Sequence, residues 1–461
     1  MRIANIHNIH FIGIGGIGMS GLAHLMLNEG YHVSGSDMNE SENVLDLRKA
    51  GAHIEVGHRA ENVTDADLVV YSSAVQEENV ELAEARLRGI PAIKRAEMLA
   101  EAMRLYDGIA VSGTHGKTTT TSMLGSILIE AQHDPTVIVG GKLHAFGDTN
   151  IRVGNGTTMV VEADEYDRSF LRLNPAIVVI TNIDNDHLDT YETIDQIVEA
   201  FKSFANKVPF YGFVTICLDD AQLQRLLPLI NRKVVSYGIN SQSDYQAKNI
   251  TMTTDRTEFD VVHDGEVQGR IGIRMPGEHN VQNAIAATAV ALELGADFGS
   301  IQTALNEYGG VFRRFELIEQ VGETQFIDDY AHHPTEVMST LKAAKAAMKK
   351  RVVCVFQPHT YSRTRDQYRE FAQAFILADI LIVLPVYPAR EEPIQGIDGH
   401  LISETSRRYG HKASFAVQTK EEAVSKVIEV IKEGDVCITM GAGDVYKLMP
   451  DIISKYKEGV G

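Results

Sequence analysis

Three clusters in this chain of 461 residues combine side chains that could do chemistry. The first is Gly113-Thr114-His115-Gly116-Lys117-Thr118, set between the apolar run GIAVS and a run with helical spacing. A glycine turn that opens a helix presents unpaired N–H groups and the positive end of the helix dipole to an anion. A lysine after the last glycine can reach the β and γ phosphates, and the next hydroxyl suits Mg2+. These types point to a nucleoside triphosphate, with ATP expected. The full phosphate-loop spacing would have glycine where this chain has Val111. The alternative is an ordinary turn with a surface lysine.

The second cluster is acidic. VVEADEYD runs an apolar strand into Glu162, Asp164 and Glu165, and VVITNIDNDHLD runs another into Asp184, Asp186, His187 and Asp189. Ligands of open parallel sheets sit beyond the carboxyl ends of the strands, so both groups would face the phosphate loop. Their oxygens suit Mg2+, which bridges phosphates. Either group alone would more often be a solvated loop.

The third is Gly13-x-Gly15-x-x-Gly18, strand before and helix after, with Asp37 ending the next strand. This is the dinucleotide-type fingerprint, including an acid about 20 residues on for a ribose hydroxyl. The βα pattern around it stops near residue 107, too early for the two halves a dinucleotide needs. A nucleoside diphosphate on one half-fold is the expectation.

Positioning these groups requires strands feeding loops. NIHFIGI, YHVSGSD and DLVVYSSA are expected strands, and AIKRAEMLAEAM is expected as helix. GIAVSG, TMVVEAD, AIVVITNI and FVTICL continue the alternation, and residues 233–275 suggest a small antiparallel patch. After FRRFELI the strands TQFIDDYA, RVVCVFQ, DILIVLPV and DVCITMG alternate with helices. The class is α/β with mostly parallel sheets, in domains 1–107, 108–311 and 312–461. A net charge of −19 argues against a nucleic-acid partner. No apolar run approaches the ~20 residues of a membrane span, and no signal peptide is read, so a cytoplasmic location is expected. Cys217, Cys354 and Cys437 match no zinc spacing and are expected to be buried and reduced.

The combination GTHGKTTT, EADEYD, NIDNDHLD, GEHNVQN and DDYAHHPTEV resembles the Mur ligases of peptidoglycan synthesis, and GIGGIGMSGLA and QPHTYSRTR extend the resemblance into the first and third domains. It implies a Rossmann-like UDP-binding domain, a P-loop-type ATPase domain and a Rossmann-like C-terminal domain. It implies ATP-dependent ligation of L-alanine to UDP-N-acetylmuramate through an acyl phosphate, with Mg2+. The nearest alternative within the family is a murein-recycling ligase that attaches a peptide to UDP-N-acetylmuramate. From other classes, a nicotinamide oxidoreductase is opposed by the short first domain, and a non-catalytic nucleotide switch by the two acidic strand ends.

The resemblance also implies roles. Lys117, Glu162, His187 and Arg314 would be catalytic, with Thr118, Glu162 and His187 as metal ligands. Gly113, Thr114, His115, Gly116, Lys117, Thr118, Thr119, Asn280, Asn283, Arg314 and Asp329 would hold ATP, Asp329 through its ribose. Capping of the helix is the plain alternative for Asn280. Gly13, Gly15, Gly16, Gly18, Ser36, Asp37 and Ser72 would hold the UDP-sugar. Arg363, with His332 and His359, would hold the amino acid. Many relatives have arginine where this chain has Thr360.

Overall fold

The computed structural model describes residues 6–460 except 73, 144–148, 167, 186–189, 254–255 and 390. The first sheet holds β1 (Asn8–Ile12), β2 (His32–Asp37), β3 (His53–Val56), β4 (Leu68–Tyr71) and β5 (Ala92–Lys94), in the order β3-β2-β1-β4-β5. All neighbours run parallel. The order reverses between β1 and β4, so a crevice opens beyond their carboxyl ends. The GIGGIG loop and Ser72 leave the sheet there. AIK is strand where helix was expected, because pairing with β4 at Val69, Val70 and Tyr71 supplies its ladder; the helix starts at Arg95.

The second sheet comprises β6 (Asp107–Ser112), β7 (Thr136–Leu143), β8 (Thr149–Arg152), β9 (Thr158–Glu162), β10 (Ile177–Ile180), β11 (Phe213–Cys217), β12 (Lys233–Gly238), β13 (Tyr245–Met252), β14 (Thr257–His263) and β15 (Glu266–Ile273). Its order is β15-β14-β13-β12-β11-β10-β6-β9-β7-β8. From β12 to β7 the pairings are parallel, and β8 is antiparallel to β7. Central β6 thus carries its phosphate loop between the ends of β9 and β10, the two strands that lead into acidic residues. The two-residue link Asp264-Gly265, both at positive φ, makes β14–β15 a hairpin. β7 and β8 were not anticipated.

The third sheet has β16 (Glu316–Val321), β17 (Thr324–Asp329), β18 (Val352–Phe356), β19 (Ile380–Val383), β20 (Ser414–Ala416) and β21 (Val436–Met440), ordered β16-β17-β21-β18-β19-β20. Only β16 is antiparallel. Its strands are apolar throughout because both faces are covered: Phe356, Phe371 and Phe375 pack in one layer, and Phe326, Val355 and Ile452 in the other. Helices Gly399–Arg408 and Met449–Val460 add to the expected set.

Two compact units result, residues 1–248, 261–269 and 282–308, and residues 249–260, 270–281 and 309–461. The first two glycine loops share the first unit. There Asn150 on β8 donates to the Ile17 carbonyl at 2.6 Å, tying the helix behind the first loop to the second sheet. Cys217, Cys354 and Cys437 are buried and free, and burial pushes the Cys217 thiol up to about 12. Among the described residues no helix is long and apolar enough to cross a membrane.

Candidate active site

The phosphate loop is braced from both neighbouring strands. Gly113 sits at φ +129°, and a Cβ there would lie 2.1 Å from Thr181 Oγ1, so no other residue fits. From the β10 side, the Thr114 N–H donates to the Asn182 carbonyl at 3.1 Å and the His115 N–H to Asn182 Oδ1 at 2.8 Å. Asn182 Nδ2 returns a bond to the His115 carbonyl at 2.9 Å, and the Asp184 N–H donates to Thr114 Oγ1 at 2.9 Å. His115 Nε2 lies 3.2 Å from Asp184 Oδ2. From the β9 side, Thr118 Oγ1 donates to the Glu162 carboxylate at 2.9 and 3.0 Å, while the Gly140 N–H donates to the same group at 2.7 Å.

Lys117 Nζ donates to the Gly113 carbonyl at 2.7 Å and lies 2.9 and 3.1 Å from the two Glu165 oxygens. Burial works against its charge, but Glu165, Asp164 and Glu162 outweigh that and hold its pKa above the ordinary lysine value. The loop therefore offers a fixed cation, a hydroxyl and backbone N–H groups at a helix start. Thr119 is buried one residue on. Asn283 joins this group, since Thr120 Oγ1 donates to its Oδ1 at 3.2 Å. His187, Asp186 and Asp189 lie outside the described residues.

In the first loop, the Gly13 and Ile14 N–H groups both donate to the Ser36 carbonyl, at 2.8 and 3.0 Å. Gly16 caps the helix Ile17–Asn28, with Gly18 in its first turn against Arg95. Asp37 Oδ2 accepts from the Gly15 N–H at 2.9 Å, so this acid shapes the loop as well as facing the crevice. Ser72 stands beside Gly13, 3.6 Å from where a Cβ would be. The Ser36 side chain is fully buried and donates to Glu81 at 2.6 Å.

A Cβ on Gly15 would fall 2.9 Å from both Asp37 Oδ2 and Ser41 Oγ. Gly15→Val should therefore reshape this loop alone. The KM for UDP-N-acetylmuramate is expected to rise by about 10- to 100-fold, the scale of a misplaced contact, while that for ATP stays near wild type. Steady-state kinetics on a variant with a normal melting curve checks this; an effect on ATP would reverse the loop assignments.

Glu81 organises the polar interior behind this loop. Burial pushes its carboxyl up, but the His10 ring 3.6 Å away and hydrogen bonds from Ser36 and Asn62 outweigh that and hold it at about 2. Its depressed folded pKa contributes stability that is present above the unfolded value near 4.5 and lost as pH falls towards 2. Glu81→Gln should lower the Tm at pH 7 and flatten its decline between pH 4.5 and 2. Melting curves across that range test it.

The second unit holds the remaining candidates. Asp329 ends β17, buried, and accepts from the N–H groups of Phe315 at 3.0 Å and Ala331 at 2.7 Å. Burial pushes its pKa up to about 6 against the pull of Arg314 and the Ala331 N–H. Arg314 lies over the Tyr330 ring, 5.2 Å from its centroid, with Nη1 3.6 Å from Glu336. Glu336 accepts from the His332 N–H at 3.0 Å. The His332 ring meets His359 edge-on at 5.9 Å, and His359 stacks on Tyr387 at 5.8 Å. His359 is held neutral, its pKa pushed down to about 4 by burial and by Arg363. Thr360, at φ +66°, caps the helix Tyr361–Ala374 by accepting from the Arg363 N–H at 3.4 Å. Ser362 donates its N–H to Glu391 at 2.9 Å. The His359 ring is thus the common neighbour of His332, Tyr387 and Arg363. In the segment GEHNVQN, Asn280 is buried and donates to the Pro276 carbonyl at 2.8 Å, a bond within its own turn.

Sequence reasoning missed Asn182 as the brace of the phosphate loop, Glu165 as the partner of Lys117, and Tyr387 and Glu391 beside the third-sheet cluster. The TNID run at a strand's end was the one visible signal, for Asn182.

Family models match in three consecutive stretches: Mur ligase family, catalytic domain, over residues 8–107; Mur ligase middle domain over 111–291; and Mur ligase, glutamate ligase domain, over 313–443. The UDP-N-acetylmuramate–L-alanine ligase of Desulfatibacillum aliphaticivorans is 49% identical over 93% of this chain and 94% of its own. That of Geotalea uraniireducens is 47% identical over 95% and 96%. Among solved structures, the UDP-N-acetylmuramate-alanine ligase of Thermotoga maritima superposes with a TM-score of 0.81 at 31% identity, covering 98% of this chain and 99% of that one. A murein peptide ligase from Psychrobacter arcticus gives 0.71 at 26% identity, covering 98% of each.

Proposed function

The chain belongs to the Mur ligase family, and from that premise we propose that it joins L-alanine to UDP-N-acetylmuramate at the expense of ATP, giving UDP-N-acetylmuramoyl-L-alanine, ADP and phosphate. The observation that carries this reading is the pair of anion-binding loops in one unit, each at the carboxyl end of a parallel sheet. One suits the diphosphate of a UDP-sugar and the other a triphosphate. The greater likeness to the alanine ligase than to the murein peptide ligase favours the free amino acid over a peptide.

A carboxylate is a poor electrophile. Attack of the substrate carboxylate on the γ-phosphorus forms an acyl phosphate and releases ADP. The amine of L-alanine then adds to the acyl carbon, and collapse of the tetrahedral intermediate expels phosphate. The first step brings two anions together, so fixed positive charge at the transferring group is the main requirement. Lys117 would supply it from the loop, and Arg314 is assigned a second phosphate contact. The N–H groups of Gly113 and of Gly116 to Thr119 would orient the phosphates, while Thr114 and His115 hold the loop through Asn182, with Asn283 and Asn280 assigned to the nucleotide side and Asp329 to its ribose. Gly13, Gly15, Gly16, Gly18, Asp37 and Ser72 would seat the UDP-sugar, with Ser36 acting through its carbonyl. Arg363, His332 and His359 would hold the amino acid.

Thr118 Oγ1 and Glu162, 2.9 Å apart, are hard oxygen donors that fit Mg2+, and His187 is assigned as a further ligand. When bound, the ion would neutralise charge on the phosphate oxygens. Domain boundaries near residues 107 and 311 and a cytoplasmic location belong to the same proposal. The test is to incubate the protein with ATP, UDP-N-acetylmuramate and L-alanine and weigh the product. UDP-N-acetylmuramoyl-L-alanine is expected, and product only with L-Ala-γ-D-Glu-meso-diaminopimelate would favour the recycling reaction.

A further inference from the structure

Resting on that ligase reading, we propose that Glu165 is a positioning residue that holds the Lys117 ammonium in the phosphate loop and gives up one of its two oxygen contacts to the incoming nucleotide while keeping the other. An ammonium has three donors. Here it faces the carbonyls of Gly113 at 2.7 Å and Thr114 at 3.2 Å and both oxygens of Glu165. All three donors are engaged, so a phosphate must displace one of these acceptors.

The carbonyls belong to the loop's own backbone, which Asn182 and Thr181 pin in place: Thr181 Oγ1 donates to the His115 carbonyl at 2.5 Å. The side chain is the group that can yield. Exchange of one anion for another leaves the lysine paired throughout. The turn that carries Glu165 is itself fixed. Its carbonyl accepts from the Tyr191 hydroxyl at 2.8 Å and the Arg168 N–H at 3.0 Å, and the Arg168 guanidinium lies over the buried Tyr191 ring. A carboxylate buried to 1% exposure beside bound phosphates also repels them. Glu165 therefore orients the lysine for transfer while weakening ground-state binding of ATP.

These two effects separate in kinetics. Glu165→Gln keeps the shape and removes the charge. Its kcat should fall by about 10- to 100-fold, the scale for a misoriented catalytic group, while the KM for ATP falls below wild type. Glu165→Asp restores the charge, and its KM for ATP should return towards wild type. Titration of ATP alone against each protein should give tighter binding to E165Q, a readout independent of turnover. An unchanged kcat, or weaker ATP binding, in E165Q would overturn the proposal. Should E165Q not fold, E165D carries the test: a reduced kcat with wild-type ATP affinity supports it, and a wild-type kcat overturns it. Wild-type protein that binds ATP but forms no ligation product would instead count against the ligase reading itself.

Discussion

Replacing Lys117 or Glu162 by alanine leaves a folded protein whose ATP-dependent phosphate release is lower by at least ~100-fold, the scale for losing an electrostatic stabiliser. The Lys117 side chain hydrogen-bonds loop carbonyls and Glu165, so its loss removes the fixed cation of the loop. Glu162 caps β9 and bonds only to the hydroxyl of Thr118 and the N–H of Gly140 among its described partners. Both effects should appear in kcat more than in the binding of UDP-N-acetylmuramate, which the other loop governs. Melting curves and single-turnover phosphate release check this together. A variant with near-normal turnover would remove that residue from the mechanism.

The second large effect concerns Arg363. It stands in the first turn of the helix Tyr361–Ala374, where the dipole disfavours a cation by roughly 0.3–1 kcal/mol. A residue placed against that field, near His359 and a Thr360 at φ +66°, fits a carboxylate-holding role. An arginine fork gives a carboxylate two parallel hydrogen bonds and keeps the amine near its target. Arg363→Ala should raise the KM for L-alanine by about 100-fold, the usual scale for removing one partner of a charge-assisted pair, and leave that for ATP nearly unchanged. Arg363→Lys should rescue only in part, because a point charge lacks the fork. Kinetics varying L-alanine at saturating ATP and UDP-N-acetylmuramate decides it, and an unchanged KM and kcat would move the amino-acid site elsewhere.

What the chain disclosed in advance was local. Strand, glycine turn and helix follow one another within a dozen residues at both loops, so Gly13 to Gly18 and Gly113 to Thr118 could be read directly. The acidic strand ends could be placed because parallel sheets gather ligands at carboxyl ends. Glu165 bonds Lys117 across 48 residues and Asn182 bonds His115 across 67, contacts that exist only because β9 and β10 flank β6. No spacing rule carries that order. β7 was obscured by Gly140-Gly141 in its middle, and β5 by the helical run that follows it. In the second unit, the parallel bridge between His359 and Tyr387 joins two loops that carry no common motif. Asp37 was expected as a ribose acid, and its bond to the Gly15 N–H gives it a structural duty that the fingerprint does not announce.

In the proposed reaction the substrate carboxylate attacks the γ-phosphorus, ADP departs, and the carboxylate becomes an acyl phosphate. UDP-N-acetylmuramate labelled with oxygen-18 in its lactyl carboxylate tests this directly, with ATP and L-alanine unlabelled and the released phosphate analysed by mass. The expected phosphate carries one oxygen from the carboxylate in each turnover. Unlabelled phosphate, released alongside the amide product, would contradict it.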